Sequence, residues 1–379
     1  MKKTILFIAL LLTISSLNHA QAQDIKESSF QFTLFPPIGT QGTKAPEYTN
    51  KVSINLLVGL SKNEEKFTLG GLANIIKNDA NGFQLAGLSN VIGNSANGIQ
   101  IAGLSNTIAN SGNGILLSGI LNTSKHYDGM EITGALNVAS NFNGLQIAGV
   151  GNVAKNTNGL QVAGVGNVAK TINGFQIGGV GNIADDINGF QIAGIFNKAK
   201  NVNGFQIAGI LNIANSSDYP IGLINIIKNG EKGIGISYNE IGSTIMFFRS
   251  GGKVMYGIVG LGYNYRSISK ESFVVEGGIG VHINCAPSFR INTELVSSEY
   301  SLFKKGETTQ YSLAVLPTFK CASHLEIFGG PTFNYLHSDN TDNKKLFPGD
   351  AAISLWKSFG SSHLEQGYIG FTVGTQYIF

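Results

Sequence analysis

From residue 81 to residue 214, hydrophobic and polar positions repeat on a fixed ruler. Each unit opens on Asn-Gly and runs through a bulky apolar residue, Gln, Ile and a small pair such as Ala-Gly. It closes on an apolar residue, a variable one, Asn, a further apolar residue and a polar segment. Asn81, Asn97, Asn113, Asn143, Asn158, Asn173, Asn188 and Asn203 each precede glycine, and Asp128-Gly129 fills the one gap. The step is 16 residues twice and 15 thereafter. Within a unit, Phe175, Gln176 and Ile177 alternate with a period of two, which is strand patterning, and the glycine and asparagine clusters read as turns. A unit this short cannot bury a core alone, so the pattern predicts an all-β array in which each unit leans on its neighbours.

Two arrangements satisfy the repeat. In a β-solenoid, successive units are coils and identical residues stack, with Phe175, Phe190 and Phe205 inward and Asn167, Asn182 and Asn197 forming a ladder at a corner. In a single large up-and-down barrel, each unit is one strand with a tight Asn-Gly turn. Phe, Ile, Gly, Gly and Val then face one way and Gln, Ala, Val, Asn and Ala the other. The change from 16 to 15 residues favours coils, because an extra residue at a corner is harmless whereas one inside a barrel strand inverts its facing. Against this, residues 81–214 hold only nine Asp, Glu, Lys or Arg residues, few for a surface in water. The solenoid is the preferred expectation.

After about Gly233 the alternation lengthens. Phe273, Val275, Ile279, Val281 and Ile283 share one face against Glu276, His282 and Asn284; Phe289, Ile291 and Leu295 oppose Arg290, Asn292 and Glu294; Leu325, Ile327, Phe333 and Tyr335 oppose Glu326 and Asn334. Apolar outside and charged inside is the pattern of an outer-membrane barrel. Tight turns near 250–252, 285–287 and 321–323 alternate with longer connections near 267–270, 301–309 and 336–366, and the count of strands is eight. Tyr263, Tyr265, Tyr335 and Tyr368 stand near strand ends, where an aromatic girdle belongs. The last residue, Phe379, closes a strand with Ile369, Phe371, Val373 and Tyr377 on its face, the form that the barrel-assembly machinery of the Gram-negative outer membrane takes up as a partner.

The N-terminus adds a compartment. Lys2 and Lys3 precede an apolar run at 5–14, and Ala20-Gln21-Ala22 offers a small-x-small cleavage site, so residues 1–22 read as a signal peptide. The run is too short to span a bilayer as a helix. The chain thus divides into 1–22 signal peptide, 23–51 lead-in, 52–230 β-repeat array and 231–379 antiparallel barrel. Cys285 and Cys321 fall in short turns of the last part, where either pairing or free thiols fit the sequence.

Little in the chain carries chemistry. Residues 149–154, 164–169 and 179–184 match a relaxed dinucleotide fingerprint, but copies 15 residues apart leave no room for the helix it requires. No zinc spacing is present, and most repeats lack the aspartate of calcium-binding glycine repeats. A net charge of +3 with scattered Lys and Arg argues against nucleic acid. Glu276, His282, Arg290, Glu294 and Glu326 are candidates for one lumen, where a His beside a carboxylate is the least that acid–base catalysis needs. Mutual neutralisation in a small filled barrel accounts for them better. No catalytic, cofactor-binding or metal residue is therefore assigned, and no cofactor is expected.

The phrases NGFQIGGVGNIA (173–184), YPIGLINIIKNG (219–230) and GGPTFNY (329–335) resemble a family of bacterial surface repeat-containing proteins. There, similar repeats precede a Pro-Ile-Gly-Leu exit segment and a β-rich C-terminus. The resemblance implies a place in the envelope, at the outer membrane or cell surface, and implies no reaction or ligand. The expectation is a non-enzymatic structural or adhesion-like protein, with outer-membrane lipid as a partner and glycan or self-association as further partners. A porin built as one large barrel is the alternative, and a barrel-embedded hydrolase or acyltransferase a remote one.

Overall fold

A computed structural model describes residues 26–379 apart from 267–272, 301–307, 340–343, 345 and 362. The expected signal peptide lies outside the described residues. Nearly everything else is strand, in a solenoid followed by a closed antiparallel barrel.

One coil sets the plan of the solenoid. A long strand, Thr171–Gly178, turns at 179–180 into a short strand, Gly181–Ile183, and residues 184–185 lead into the next long strand, Asp186–Ala193. Long strands stack in parallel into a sheet of 14, whose first member is a two-residue antiparallel cap at Ile38–Gly39; short strands stack into a parallel sheet of 12. Pairing is residue for residue, Asn158 on Asn173 and Gln161 on Gln176. The stack begins earlier than residue 52, because Lys26–Phe35 pairs in parallel with Tyr48–Asn55. The extra residue of the early units extends the short strand, four residues at Ser105–Ile108 against three at Leu121–Thr123, so it sits at a corner as expected.

The facing is the reverse of the expectation for a solenoid. Gln176 is fully buried while Phe175 is 44% exposed, and Phe175, Phe190 and Phe205 stack on the outside with ring centroids 4.9 and 5.3 Å apart. Asn167, Asn182 and Asn197 do form a ladder, but between the two sheets rather than at a corner. Alternation fixes which residues share a face and leaves open which face is inside. The inside here is polar because identical amides one strand apart satisfy one another. Asn167 Nδ2 donates to Asn182 Oδ1 at 2.8 Å and to the Ile177 carbonyl at 2.9 Å, and Gln176 Nε2 donates to Gln161 Oε1 at 2.9 Å. Beside the amides runs an apolar strip that includes Ala169, Ile172, Ala184 and Ile187. The partition of Gln and Asn from Phe and Ile is the one expected of a single large barrel, realised in a solenoid, except that Val180, expected with Gln176 and Asn182, lies outside in the turn.

Asn-Gly is also not a turn. It lies inside the long strand, with Gly159 at φ +137° paired to Gly174 at φ +134°. A Cβ at Gly159 would collide with the Gly144 carbonyl oxygen of the preceding coil, so glycine is required both by its backbone angle and by the close approach of that strand.

The barrel closes through its first strand, Lys232–Asn239, on its last, Leu364–Ile378, from Gly233–Ile378 to Asn239–Thr372. Between them run Ser243–Gly251, Met255–Asn264, Phe273–Ala286, Phe289–Tyr300, Thr308–Lys320 and Leu325–Ser338, making eight. A further strand inside the segment 336–366, which the sequence presents as a connection, is Ile353–Phe359. It pairs with the start of the last strand beyond the reach of the first. The tight turns lie at the end of the barrel where the array joins.

Candidate functional site

The residues that carry charge in the barrel come from strands whose odd and even positions face opposite ways, which places Glu276, His282, Arg290, Glu294 and Glu326 all inward, as expected. They do not assemble into one site. Arg249 binds Glu294 at 2.7 Å and donates to Gln376 Oε1 at 2.6 Å, while the Tyr256 hydroxyl donates to Glu294 at 2.6 Å. The guanidinium also lies over the rings of Phe247 and Phe328, at 4.1 and 4.5 Å. Nearer the tight turns, Arg290 bridges Glu231 at 2.6 Å and Glu326 at 2.7 Å, and Gln376 donates to Glu326 at 2.6 Å. His282 stacks on Tyr256 at 4.2 Å and shares a 2.8 Å hydrogen bond with Asn292. Its nearest acidic partner is Glu231 at 3.8 Å, six residues along the strand from Glu276 to His282 keeping those two in separate layers.

Arg249, Arg290, Glu294 and Glu326 each have an opposite charge against them, which is how ionised groups survive burial, while Glu276 meets, among the described residues, only the Ser298 hydroxyl, at 3.4 Å. Arg249, Tyr256, Glu231 and Gln376 complete these networks and were not singled out by motif; the parity of Ile245, Phe247 and Arg249 along one strand was the signal that could have found Arg249. The lumen holds a cavity of about 40 Å³ lined by Ser237, Arg249, Glu276, Gln310 and Asn334, among others, room for one or two waters, and a more open one of about 110 Å³ lies at its tight-turn mouth beside Glu231, Arg290, Thr318 and Glu326. Among the described residues no group of three or more His, Cys, Asp or Glu is placed to hold a metal ion. Cys285 and Cys321 are free and exposed at the tight-turn end.

The second candidate surface is the exterior. On the barrel, Ile236, Met246, Leu261, Leu295, Phe319 and Phe333 are all exposed. On the array, the outer face of the long strands carries two uninterrupted apolar rows, one running from Phe30 through Leu160 and Phe175 to Tyr219, the other from Phe32 through Ile177 to Ile221. The turn joining long to short strand adds a third, from Leu57 through Val180 to Leu223. The opposite turn is polar in every coil, with Asn94, Lys155, Lys170, Asp185, Lys200 and Asn215 in equivalent places. Of the nine charged residues between 81 and 214, Glu131 is buried, Lys198 is on an outer face one residue from the polar turn, Asp128 is on the outer face of a long strand three residues past that turn, and the rest lie at or beside it.

Glu131 occupies a glutamine position of the inner ladder, accepting from Gln146 Nε2 at 2.6 Å and Ser124 Oγ at 2.9 Å. Burial pushes its carboxyl up to about 7. The glutamine ladder breaks one coil earlier at Leu116, leaving Gln100 Oε1 buried without a hydrogen bond, whereas the asparagine ladder runs unbroken from Asn74 to Asn225.

No protein-family model and no curated protein matches the chain. Among solved structures, a de novo designed transmembrane β-barrel aligns with 39% of this chain and 93% of its own length at 10% identity, with a TM-score of 0.23.

Proposed function

We propose that the chain is a non-enzymatic outer-membrane protein with a structural or interaction role, its barrel serving as an anchor and its array as the interacting part. The observation that carries this reading is the polarity of the barrel: an apolar exterior around a lumen closed by Arg249–Glu294 and Arg290–Glu326. Eight strands suffice to hold side chains and leave no pore. A transport channel finds no support in a 40 Å³ lumen cavity, and a lumen enzyme finds none in a histidine held by Asn292 and Tyr256. Tight turns face the periplasm in such barrels, so the array belongs on the periplasmic side. The export signature of residues 1–22 agrees with this placement.

The free thiols test it. In a Gram-negative host, the full chain is expected to fractionate with outer membranes and resist alkaline extraction. Cys285 and Cys321 are expected to react with a membrane-impermeant maleimide only after the outer membrane is permeabilised. Release of the chain by alkali would refute the anchor, and labelling in intact cells would refute the orientation.

A further inference from the structure

We infer that the array itself is a membrane-binding element, lying edge-on in the leaflet that faces the tight turns. Its Val180 edge and outer faces would meet phospholipid acyl chains, and its Lys170 edge would lie among headgroups. This rests on the proposed membrane placement of the barrel and goes beyond it, since a barrel anchor could equally carry a water-exposed array.

Three observations lead here. The first is segregation around the coil. Going outward from Asn173, the surface residues are Phe175, Ile177, Val180 and Ile183, and polarity returns only at Asp185; the Phe175, Ile177 and Val180 rows stay apolar along the whole stack, while Thr107, Thr123 and Lys198 interrupt the Ile183 row. Two rows on the sheet and one on the turn expose on the order of 1,000 Å² of apolar surface, past the few hundred Å² that soluble monomers show. Lys198, the charge on the outer face of a short strand, is close enough to the polar edge for its ammonium to reach it along an apolar stem, and Asp128 takes the Asn173 place at the polar end of a long strand.

The second is depth. From Phe175 to Val180 the chain advances five residues, at most about 17 Å at 3.3 Å per extended residue, since residues 179–180 turn. Half of a hydrocarbon core of about 30 Å is about 15 Å. The apolar part of the ribbon is one leaflet deep.

The third is height against the barrel, which fixes the occupant. The last coil packs alongside the strand Met255–Asn264. At its polar end, the Val254 amide donates to the Asp218 carbonyl at 3.3 Å, and within its short strand Asn225 binds Ser250 beside the tight turn. At its apolar end, Gly222 and Leu223 lie against Gly257, and a Cβ on Gly277 would touch Leu223 at 3.3 Å. Leu223 then shares an apolar groove of about 450 Å³ with Met246, Phe248, Val259, Leu261 and Val275 on the barrel exterior. The apolar edge of the array therefore stands level with the apolar band of the barrel and continues it, while the polar edge stands level with the tight turns. One bilayer surface serves both. A second copy of the chain would cover the faces but would give no reason for this shared level.

Tryptophan depth tests the inference in the full chain reconstituted into phospholipid bilayers. Replacing the single native tryptophan, Trp356→Phe, gives a background for Val180→Trp and Ile195→Trp on the apolar edge, Lys170→Trp on the polar edge and Leu295→Trp on the barrel exterior. With acyl-chain-brominated phospholipid, the two edge tryptophans are expected to lose most of their emission, as Leu295→Trp does, and Lys170→Trp to keep it. Full emission from both edge tryptophans with Leu295→Trp quenched overturns the inference and leaves the barrel in its membrane. An unquenched Leu295→Trp removes the barrel placement and the inference together. Quenching of Lys170→Trp as strong as that of Val180→Trp overturns the edge-on orientation.

Discussion

Replacing Asn167 by leucine is the sharpest test of the inverted interior. An ordinary solenoid core would welcome the change, because a buried amide gives way to a buried alkyl group of similar size. Here Asn167 is the middle of a ladder: it accepts from Asn152 Nδ2 at 2.8 Å and donates to Asn182 Oδ1 at 2.8 Å and to the Ile177 carbonyl at 2.9 Å. Leucine leaves one N–H of Asn152 and the Oδ1 of Asn182 buried without partners, and it cuts a stitch between the short and long strands. Each orphaned group costs about 1–3 kcal/mol. Burying the added apolar surface returns about 1.5–3 kcal/mol, so the net loss is roughly 1–3 kcal/mol. At 1.4 kcal/mol per factor of ten, amide protection in neighbouring coils should fall by about 5- to 150-fold. Hydrogen exchange by mass spectrometry on the full chain in detergent reads this coil by coil, and Asn173→Ala, on the exposed ladder, should stay within about 0.5 kcal/mol. Unchanged or increased protection in Asn167→Leu would show that the amide ladder does not hold the interior together.

Glu131→Gln should remove a pH dependence: with the folded carboxyl near 7 and an ordinary value near 4.3, the wild-type array loses stability as pH rises from 4 to 7, on the order of 3 kcal/mol. The variant should be more protected than wild type at pH 8 and equal to it at pH 4; equal exchange at both would contradict the burial of that carboxylate. Gly159→Ala should cost at least about 2 kcal/mol in backbone strain alone, with the collision on Gly144 added, read as loss of exchange protection in the coils on either side. In the barrel, Arg249→Met should cost about 3–5 kcal/mol by stranding Glu294, and Arg249→Met with Glu294→Met should recover most of it; a double variant no better than the single, by unfolding in detergent, would count against a paired lumen.

Much of this architecture is legible because periodicity survives without a structure. A 15-residue step with every Asn and Gln in phase leaves stacking as its simplest cause, and Asn158 does pair with Asn173. In the barrel, the parity that sets His282 and Glu294 against Ile283 and Leu295 also sets inside against outside, since charges mark the lumen. The array offers no such mark. Phe175 and Gln176 occupy opposite faces under either packing, and the expectation that aromatic residues go inward rests on water outside. The scarcity of charge between residues 81 and 214 was the available hint that the exterior is apolar. The Asn-Gly repeats misled in a different way: a glycine at positive φ usually marks a turn, but here Gly159 bends a strand whose neighbours bend identically. Ile353–Phe359 was missed because an edge strand pairing along half a partner needs no clean alternation, and all seven of its residues are exposed.

The two halves turn their polarity inside out by different chemistry, and the difference follows from their symmetry. The barrel's strands are unlike one another, so a guanidinium on one can face a carboxylate on another, as Arg290 faces Glu326. In the array every coil presents the same residue to its copy about 4.8 Å away. A charged residue repeated at that spacing would meet its own sign, and a hydroxyl carries only one donor. A carboxamide is donor and acceptor at once, so Asn meets Asn and Gln meets Gln without a second residue type. Glu131 fits the same rule: it stands alone, with Leu116 on one side and Gln146 on the other, and no second carboxylate shares its rung. Identical units whose buried polar centre must also tie one sheet to the other call for amides, since Asn167 spends one N–H on Asn182 and the other on the Ile177 carbonyl, and an exterior left to Phe, Ile and Val is the other half of that constraint.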